Sequence, residues 1–305
     1  MLIGTIIILG LMRVLSALPL GLHYACARVL SWFLKNVMRY RRDVVMTNLS
    51  RSFPDKKYKE ISKIADKFYR HFGRIIVEAI WFGGCRDPKR LRQRRIVEYS
   101  NIEVFEKAYS QSPGVMVMTS HFGNWELLGG CLNYDYRSGA KLPEGLVPDD
   151  VIFVYKPLKS VVWNEIMGKN RCAPVKYLDY KGYISTGKIL RHVLENKDRK
   201  LVVNMLSDQC PYRDSMADLK VDFMHQETKT MFGGASLARK MGWSVLYASL
   251  FPVEKGRYEW RFTEICPDAS AVPVQEIMED YYKLLQNDIE AVPWCYLWSH
   301  KRWKK

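Results

Sequence analysis

The sequence predicts an α/β protein: a mostly parallel central sheet flanked by helices, preceded by an N-terminal amphipathic, membrane-anchoring helical segment. Three observations carry this reading. From Gly114 onward, β-like apolar runs alternate with helical patterns. Several of those runs are continuously apolar, as strands covered on both faces are. The N-terminal residues up to Val37 combine an apolar run with a helical stripe of apolar side chains.

The run from Leu2 to Met12 is almost wholly apolar, but at about 1.5 Å per residue it covers only roughly half of a bilayer's hydrocarbon core. Extending it to Leu18 reaches about 26 Å and takes in Arg13, whose long side chain would have to snorkel. Pro19 and Gly21 then interrupt the helix. A short or tilted anchor fits these lengths. A cleaved secretory signal fits less well, because the chain continues into another patterned helix. There Leu22, Ala25, Cys26, Val29, Leu30, Phe33, Leu34 and Val37 form one stripe, while Arg28, Lys35, Arg39 and Arg42 fall on another face. The stripe alone suits a core helix with a solvated basic side as well as a helix lying on anionic headgroups. The apolar run before it favours the membrane. Because Arg39, Arg41 and Arg42 follow the apolar region, the positive-inside rule places the body of the protein in the cytoplasm. Residues 1–42 are thus expected to form anchoring or interfacial helices, and 43–305 one globular domain.

Phe53, Pro54 and Asp55 open a long amphipathic helix with Ile61, Ile64, Phe68, Phe72, Ile75, Ile76 and Ala79 on one face. The run from Arg86 to Arg95 carries six basic residues and one acid, and reads either as a solvated turn or as a docking site for an acidic partner. Strands are expected at VMVMTS (115), VIFVY (151), PVKYLD (174), KLVVNML (200), SVLYASLF (244) and YEWRFTEI (258), the last two as an antiparallel hairpin turning near Lys255 and Gly256.

Of the 305 residues, 47 are Lys or Arg and 32 are Asp or Glu, a net charge of +15 that calls for an anionic partner. Seven scattered cysteines without a C-x-x-C pair exclude a disulfide framework and a zinc ribbon and suit a reducing compartment. No H-E-x-x-H or G-x-G-x-x-G is present, so no metal or cofactor is expected. GYISTGKI fails as a phosphate loop at Ile189, and GASLA fails as a nucleophile elbow at Ala238. RRM, KH and zinc patterns are missing, so no nucleic acid is expected as partner.

VMVMTSHFGNWELLGG stands apart, since a buried strand ends at His121 and a helix is expected a residue or two later, where functional groups gather in α/β folds. His121 and Glu126 lie about 140° apart around a continuous helix, so they meet only if His121 precedes the first turn. A histidine there suits proton removal from a hydroxyl, with the carboxylate on its other ring nitrogen; taken alone, a pair at this spacing is more often a structural contact.

HFGNWE resembles the H-x-x-x-x-[DE] box of membrane-associated acyltransferases, and the chain as a whole resembles the lipid A biosynthesis late acyltransferases (the lauroyl/myristoyl acyltransferase family). The likeness extends to NLSRSFPD, VYKPLKSVVWNEIMGKNR, SDQCP, TKTMFGGASLARKMG and the tail YLWSHKRWKK. It implies an acyltransferase domain over 43–305 that moves a fatty acyl chain from an acyl carrier protein thioester to a hydroxyl of a glycolipid, a lipid A precursor, at the cytoplasmic face of the inner membrane. On that pattern His121 is the general base and Glu126 its orienting acid. Arg171, Asp208, Gln209 and Trp125 are substrate-binding, with Arg171 meeting a phosphate or the developing oxyanion. Trp125, Leu127 and Leu128 either shape an acyl tunnel or belong to the core. Where the family has Phe-Phe-Gly and then a proline, this chain has Phe223, Met224, His225 and then Glu227, which bears on acceptor or chain-length selection. Competing readings are an acyltransferase for another membrane lipid or pigment (an amino-acid lipid, a polyene, a phosphoinositide mannoside), told apart by an acceptor assay, and a noncatalytic peripheral membrane protein, in which His121 would be dispensable.

Overall fold

A computed structural model of the chain describes residues 3–86, 88–136, 143, 145–211 and 219–303. Leu2 of the apolar run, Asp87 of the basic run and Lys304 and Lys305 of the tail lie outside the described residues. Helices α1 (Ile3–Ala17), α2 (Leu20–Trp32), α3 (Arg42–Ser52), α4 (Tyr58–Phe82) and α5 (Pro88–Arg94) come first. Strand β1 (Val97–Tyr99) and α6 (Ile102–Gln111) lead to β2 (Val115–Thr119), β3 (Asp135–Tyr136), β4 (Val151–Tyr155), α7 (Val161–Arg171), β5 (Tyr183–Ser185), α8 (Ile189–Glu195) and β6 (Val202–Leu206). A small hairpin of β7 (Lys220–Phe223) and β8 (Gln226–Lys229) precedes α9 (Gly233–Met241), β9 (Ser244–Glu254), β10 (Arg257–Cys266) and α10 (Val274–Ala291).

Eight strands form one sheet in the order β3-β1-β10-β9-β2-β6-β4-β5. β9, β2, β6, β4 and β5 run parallel; β10 is antiparallel to β9, and β1 and β3 run with β10. The fold is therefore α/β with a mostly parallel sheet flanked by helices, and the β9–β10 hairpin turns at Lys255 and Gly256 as the sequence predicts. β2 shows why its run is continuously apolar. Met116 and Met118 enter one core with α4, α9 and α10, while Val115 and Val117 enter a second core with α6 on the opposite face.

Three expectations need correction. The run at Pro174 is not a strand: Ala173–Leu178 forms a 3-10 turn directly behind α7, and Pro174 has no N–H to give a sheet ladder. The edge position is taken by β5, only three residues long, hidden in the segment that imitates a phosphate loop. The long helix α4 begins at Tyr58 and not at Phe53 to Asp55, with the Glu60 carboxylate accepting the Lys57 N–H at 3.0 Å.

The N-terminal pair is built inside out. α1 and α2 meet at Pro19 with a 116° bend, and among the described residues no single helix is long and apolar enough to cross a membrane. The side chains turned inward include Thr5, Ser16, His23, Ala27 and Ser31. At Gly73 of α4 a Cβ would lie 2.2 Å from the Ser31 hydroxyl, so α2 rests against α4 on a small-residue contact. Ile7, Leu11, Val14, Val29 and Trp32 are 58–69% exposed instead. Of the stripe expected from periodicity, Leu22, Cys26, Val29, Phe33 and Val37 face outward, while Leu34 is buried in the core and Leu30 packs against it. The basic run forms α5, where Arg90 donates to the Ser16 and Gly84 carbonyls and lies over Trp81, and Arg95 pairs with Glu98.

Candidate active site

β2 and β6 are adjacent, parallel and in register, with Thr119 opposite Leu206. His121 and Asp208 each follow two residues later, and the Ser207 N–H donates to the Thr119 carbonyl at 3.0 Å. The topology thereby brings side chains 87 positions apart to one sheet edge. His121 Nδ1 stands 2.7 Å from Asp208 Oδ1, with the two side chains 12% and 2% exposed. Asp208 also accepts from the His121 backbone N–H and the Tyr296 hydroxyl. Burial works against its charge, but attraction and hydrogen bonds from His121, with Arg302 farther off, outweigh it and hold the carboxyl below its ordinary value. With the Nδ1 proton committed to Asp208, Nε2 keeps its lone pair, which faces the Gln209 side-chain amide at 3.0 Å.

The turn that presents His121 is fixed on several sides. Gly123 has φ +70°, and a Cβ there would lie 1.8 Å from the Leu250 carbonyl oxygen. Its carbonyl accepts from His71 Nε2 at 2.9 Å and its N–H donates to the Cys295 carbonyl. Asn124 donates to Glu78 at 2.7 Å and accepts the Glu126 N–H, capping a 3-10 helix over Trp125–Asn133 where the sequence predicts an α-helix. Burial lowers the His71 pKa to about 3, so it is neutral and serves as a hydrogen-bond donor.

Glu126 is engaged elsewhere than expected. Arg171 grips it bidentately, Nε to Oε2 at 2.7 Å and Nη2 to Oε1 at 2.6 Å, and the Trp125 indole donates to Oε1 at 3.1 Å. The carboxylate on the His121 ring is that of Asp208, because Glu126 sits in the first 3-10 turn and reaches back toward the end of α7. Arg171 also donates to the Tyr183 hydroxyl at 3.2 Å. Burial opposes the Arg171 charge, and Glu126 more than offsets it, leaving the guanidinium more firmly protonated than usual.

His121, Trp125, Glu126, Arg171 and Gln209 line one cavity of about 260 Å³, walled by Leu128, Phe153, Tyr155, Val175 and Leu206. Asp208 lies just behind His121. Leu127 belongs to the core while Leu128 faces the cavity. Met224 and His225 form the β7–β8 turn, both at positive φ, and neither lines the cavity. Sequence reasoning missed Asn124, Tyr183 and Tyr296. Asn124 carried a signal, as a capping residue just before a helical run; the two tyrosines carried none.

The fold and this site define an α/β enzyme in which a histidine, oriented by a buried carboxylate, opens into a largely apolar cavity. The model of the bacterial lipid A biosynthesis acyltransferase family matches residues 2–148 and 164–305. The chain belongs to this family and is an acyltransferase. It is 24% identical over 273 residues to the lipid A biosynthesis palmitoleoyltransferase of Escherichia coli K12, covering 88% of this chain and 80% of that protein. The lipid A biosynthesis acyltransferase of Shigella flexneri shows the same identity and coverage.

Proposed function

We propose that the protein transfers a fatty acyl chain from an acyl carrier protein thioester to a hydroxyl of a lipid A precursor at the cytoplasmic face of the inner membrane. The observation that carries this reading is the Asp208–His121 pair, with Nε2 turned to a cavity whose walls suit an acyl chain. In the transfer, the acceptor hydroxyl displaces the Gln209 amide and gives its proton to Nε2. The oxygen attacks the thioester carbonyl, and collapse of the tetrahedral intermediate breaks the C–S bond. The departing thiolate recovers the proton from the imidazolium. Asp208 holds the ring in the required tautomer and stabilises its charged form, the role first expected of Glu126. Glu126 fixes Arg171 and Trp125 at the cavity wall, and Arg171 and the Gln209 amide supply donors for the developing oxyanion.

The outward apolar faces of α1 and α2 support membrane docking, since exposed aliphatic and aromatic side chains in contiguous helices mark an interaction surface. On this reading residues 1–42 dock and 43–305 carry the chemistry. Mass spectrometry of lipid A from cells with and without the gene tests the function. Loss of one acyl chain supports it, and unchanged lipid A with a changed amino-acid lipid or pigment points to another acceptor.

A further inference from the structure

A second cavity, of about 640 Å³, lies on the other side of the His121 turn. Its walls come from α2 (Tyr24, Arg28), α4 (Lys67, Arg70, His71, Arg74) and the β9–β10 hairpin (Lys255). Five cations face it with one carboxylate, Glu254, which Arg257 already holds at 2.6 Å. Among the described residues none of the five forms a salt bridge, although Arg74 lies in the field of the buried Glu78 carboxylate, one turn along α4. Arg74 lies over Trp294, Lys255 over Tyr24, and Arg70 reaches the Asp66 carbonyl. Arg74 Nε is buried without an acceptor among the described residues. A cleft of one sign concentrates counter-ions, and an arginine cluster with unfilled donors matches phosphate oxygens.

Two features say where the anion comes from. The cleft joins the turn that carries His121, through the His71 bond to the Gly123 carbonyl. Its mouth also borders the outward apolar face of α2, where Trp32 follows Arg28 by one turn and is 60% exposed. A ligand held there lies beside the apolar face of α2 and against the wall that supports the His121 turn. We infer that this cleft binds a phosphate group carried by the glycolipid acceptor, fixing the acceptor while one of its hydroxyls enters the cavity beside His121. The inference deepens the proposed function and rests on it.

The test uses the full-length protein in neutral detergent, a variant carrying Lys67→Gln, Arg70→Gln and Lys255→Gln, and the charge-preserving Lys67→Arg/Lys255→Arg. The replaced side chains are exposed and lie outside both cores, so the fold is retained. Equilibrium binding is measured for a phosphorylated lipid A precursor, its phosphatase-treated form, and phosphatidylglycerol vesicles; turnover is measured on both glycolipids. The expected result is binding of the phosphorylated form about tenfold or more weaker in the triple variant, with kcat and the treated form unaffected and the arginine variant normal. Equal wild-type binding of both glycolipids overturns the inference. Loss confined to the vesicles assigns the cleft to bulk phospholipid and overturns it equally. Phosphate-dependent binding without any turnover would sink the proposed activity and leave the phosphate site standing.

Discussion

Replacing Asp208 by asparagine removes the charge from the His121 pair at nearly constant volume. The Asp208 carboxylate accepts from the His121 ring, the His121 backbone N–H and the Tyr296 hydroxyl. An amide offers one acceptor oxygen and one donor nitrogen, so in either orientation a donor is set against a donor. If the nitrogen faces Nδ1, the ring proton is forced onto Nε2 and the base is lost; if the oxygen does, the tautomer survives without the countercharge. The side chain is 2% exposed, so water cannot substitute for the lost oxygen. A positioned base contributes about 10²–10⁴-fold, so kcat should fall at least about 100-fold, with about 1–3 kcal/mol lost from stability. Steady-state transfer from a radiolabelled acyl carrier thioester at saturating acceptor gives kcat, and denaturant unfolding gives the stability change. Adding Asp208→Asn to His121→Ala should cost no further activity, because the two act as one unit. An asparagine variant with near-normal turnover would refute the assigned orientation of the base.

Glu126→Gln breaks the two-pronged grip on Arg171 and should cost about 2 kcal/mol, seen as a lower urea midpoint; an unchanged midpoint would show that the pair contributes nothing to stability. His71 has a folded pKa of about 3 against 6.5 unfolded, so only the unfolded chain takes up its proton between those values, and stability falls as pH drops through that window. The loss should reach about 2 kcal/mol at pH 5 relative to pH 8, and His71→Gln should flatten that slope; parallel pH profiles would contradict it. Serine at Ile7, Leu11, Val14, Val29 and Trp32 should release the protein from membranes without lowering its melting temperature, and full retention would remove those faces as the docking surface. Gln at Arg86 and Arg94, both exposed on or beside α5, should raise KM for the carrier-linked donor and reduce its salt dependence; identical donor curves would end the carrier-docking idea.

The sheet was legible because its strands are buried on both faces, which leaves a near-continuous apolar run in the sequence at Val115 and Val151 and a mostly apolar one at Ser244. β5 was not, since three half-buried residues leave no periodic signal, and the tempting run at Pro174 has apolar character without free backbone donors. Periodicity identified the stripe on α2 but is blind to what the stripe faces: the same spacing serves a core or a bilayer, and only packing against Gly73 shows that the small side turns inward. At the site, His121 was visible at the end of a buried strand. Its partner was not, because the nearer carboxylate in sequence, Glu126, is captured by Arg171, while Asp208 arrives through strand order. A pairing across 87 positions becomes readable only once β2 and β6 are known to be neighbours in register.

The most direct measurement is product mass in a reconstituted reaction. Purified wild-type protein and His121→Gln, each with acyl carrier thioester and a lipid A precursor in detergent, are followed by mass spectrometry of the glycolipid and thiol titration of the carrier. The expected result is one added ester-linked acyl chain per acceptor with one free thiol released by the wild type, and transfer reduced at least about 100-fold in the folded variant. Equal acylation by both proteins, or thiol release without acylated glycolipid, would contradict a His121-based transfer to this acceptor.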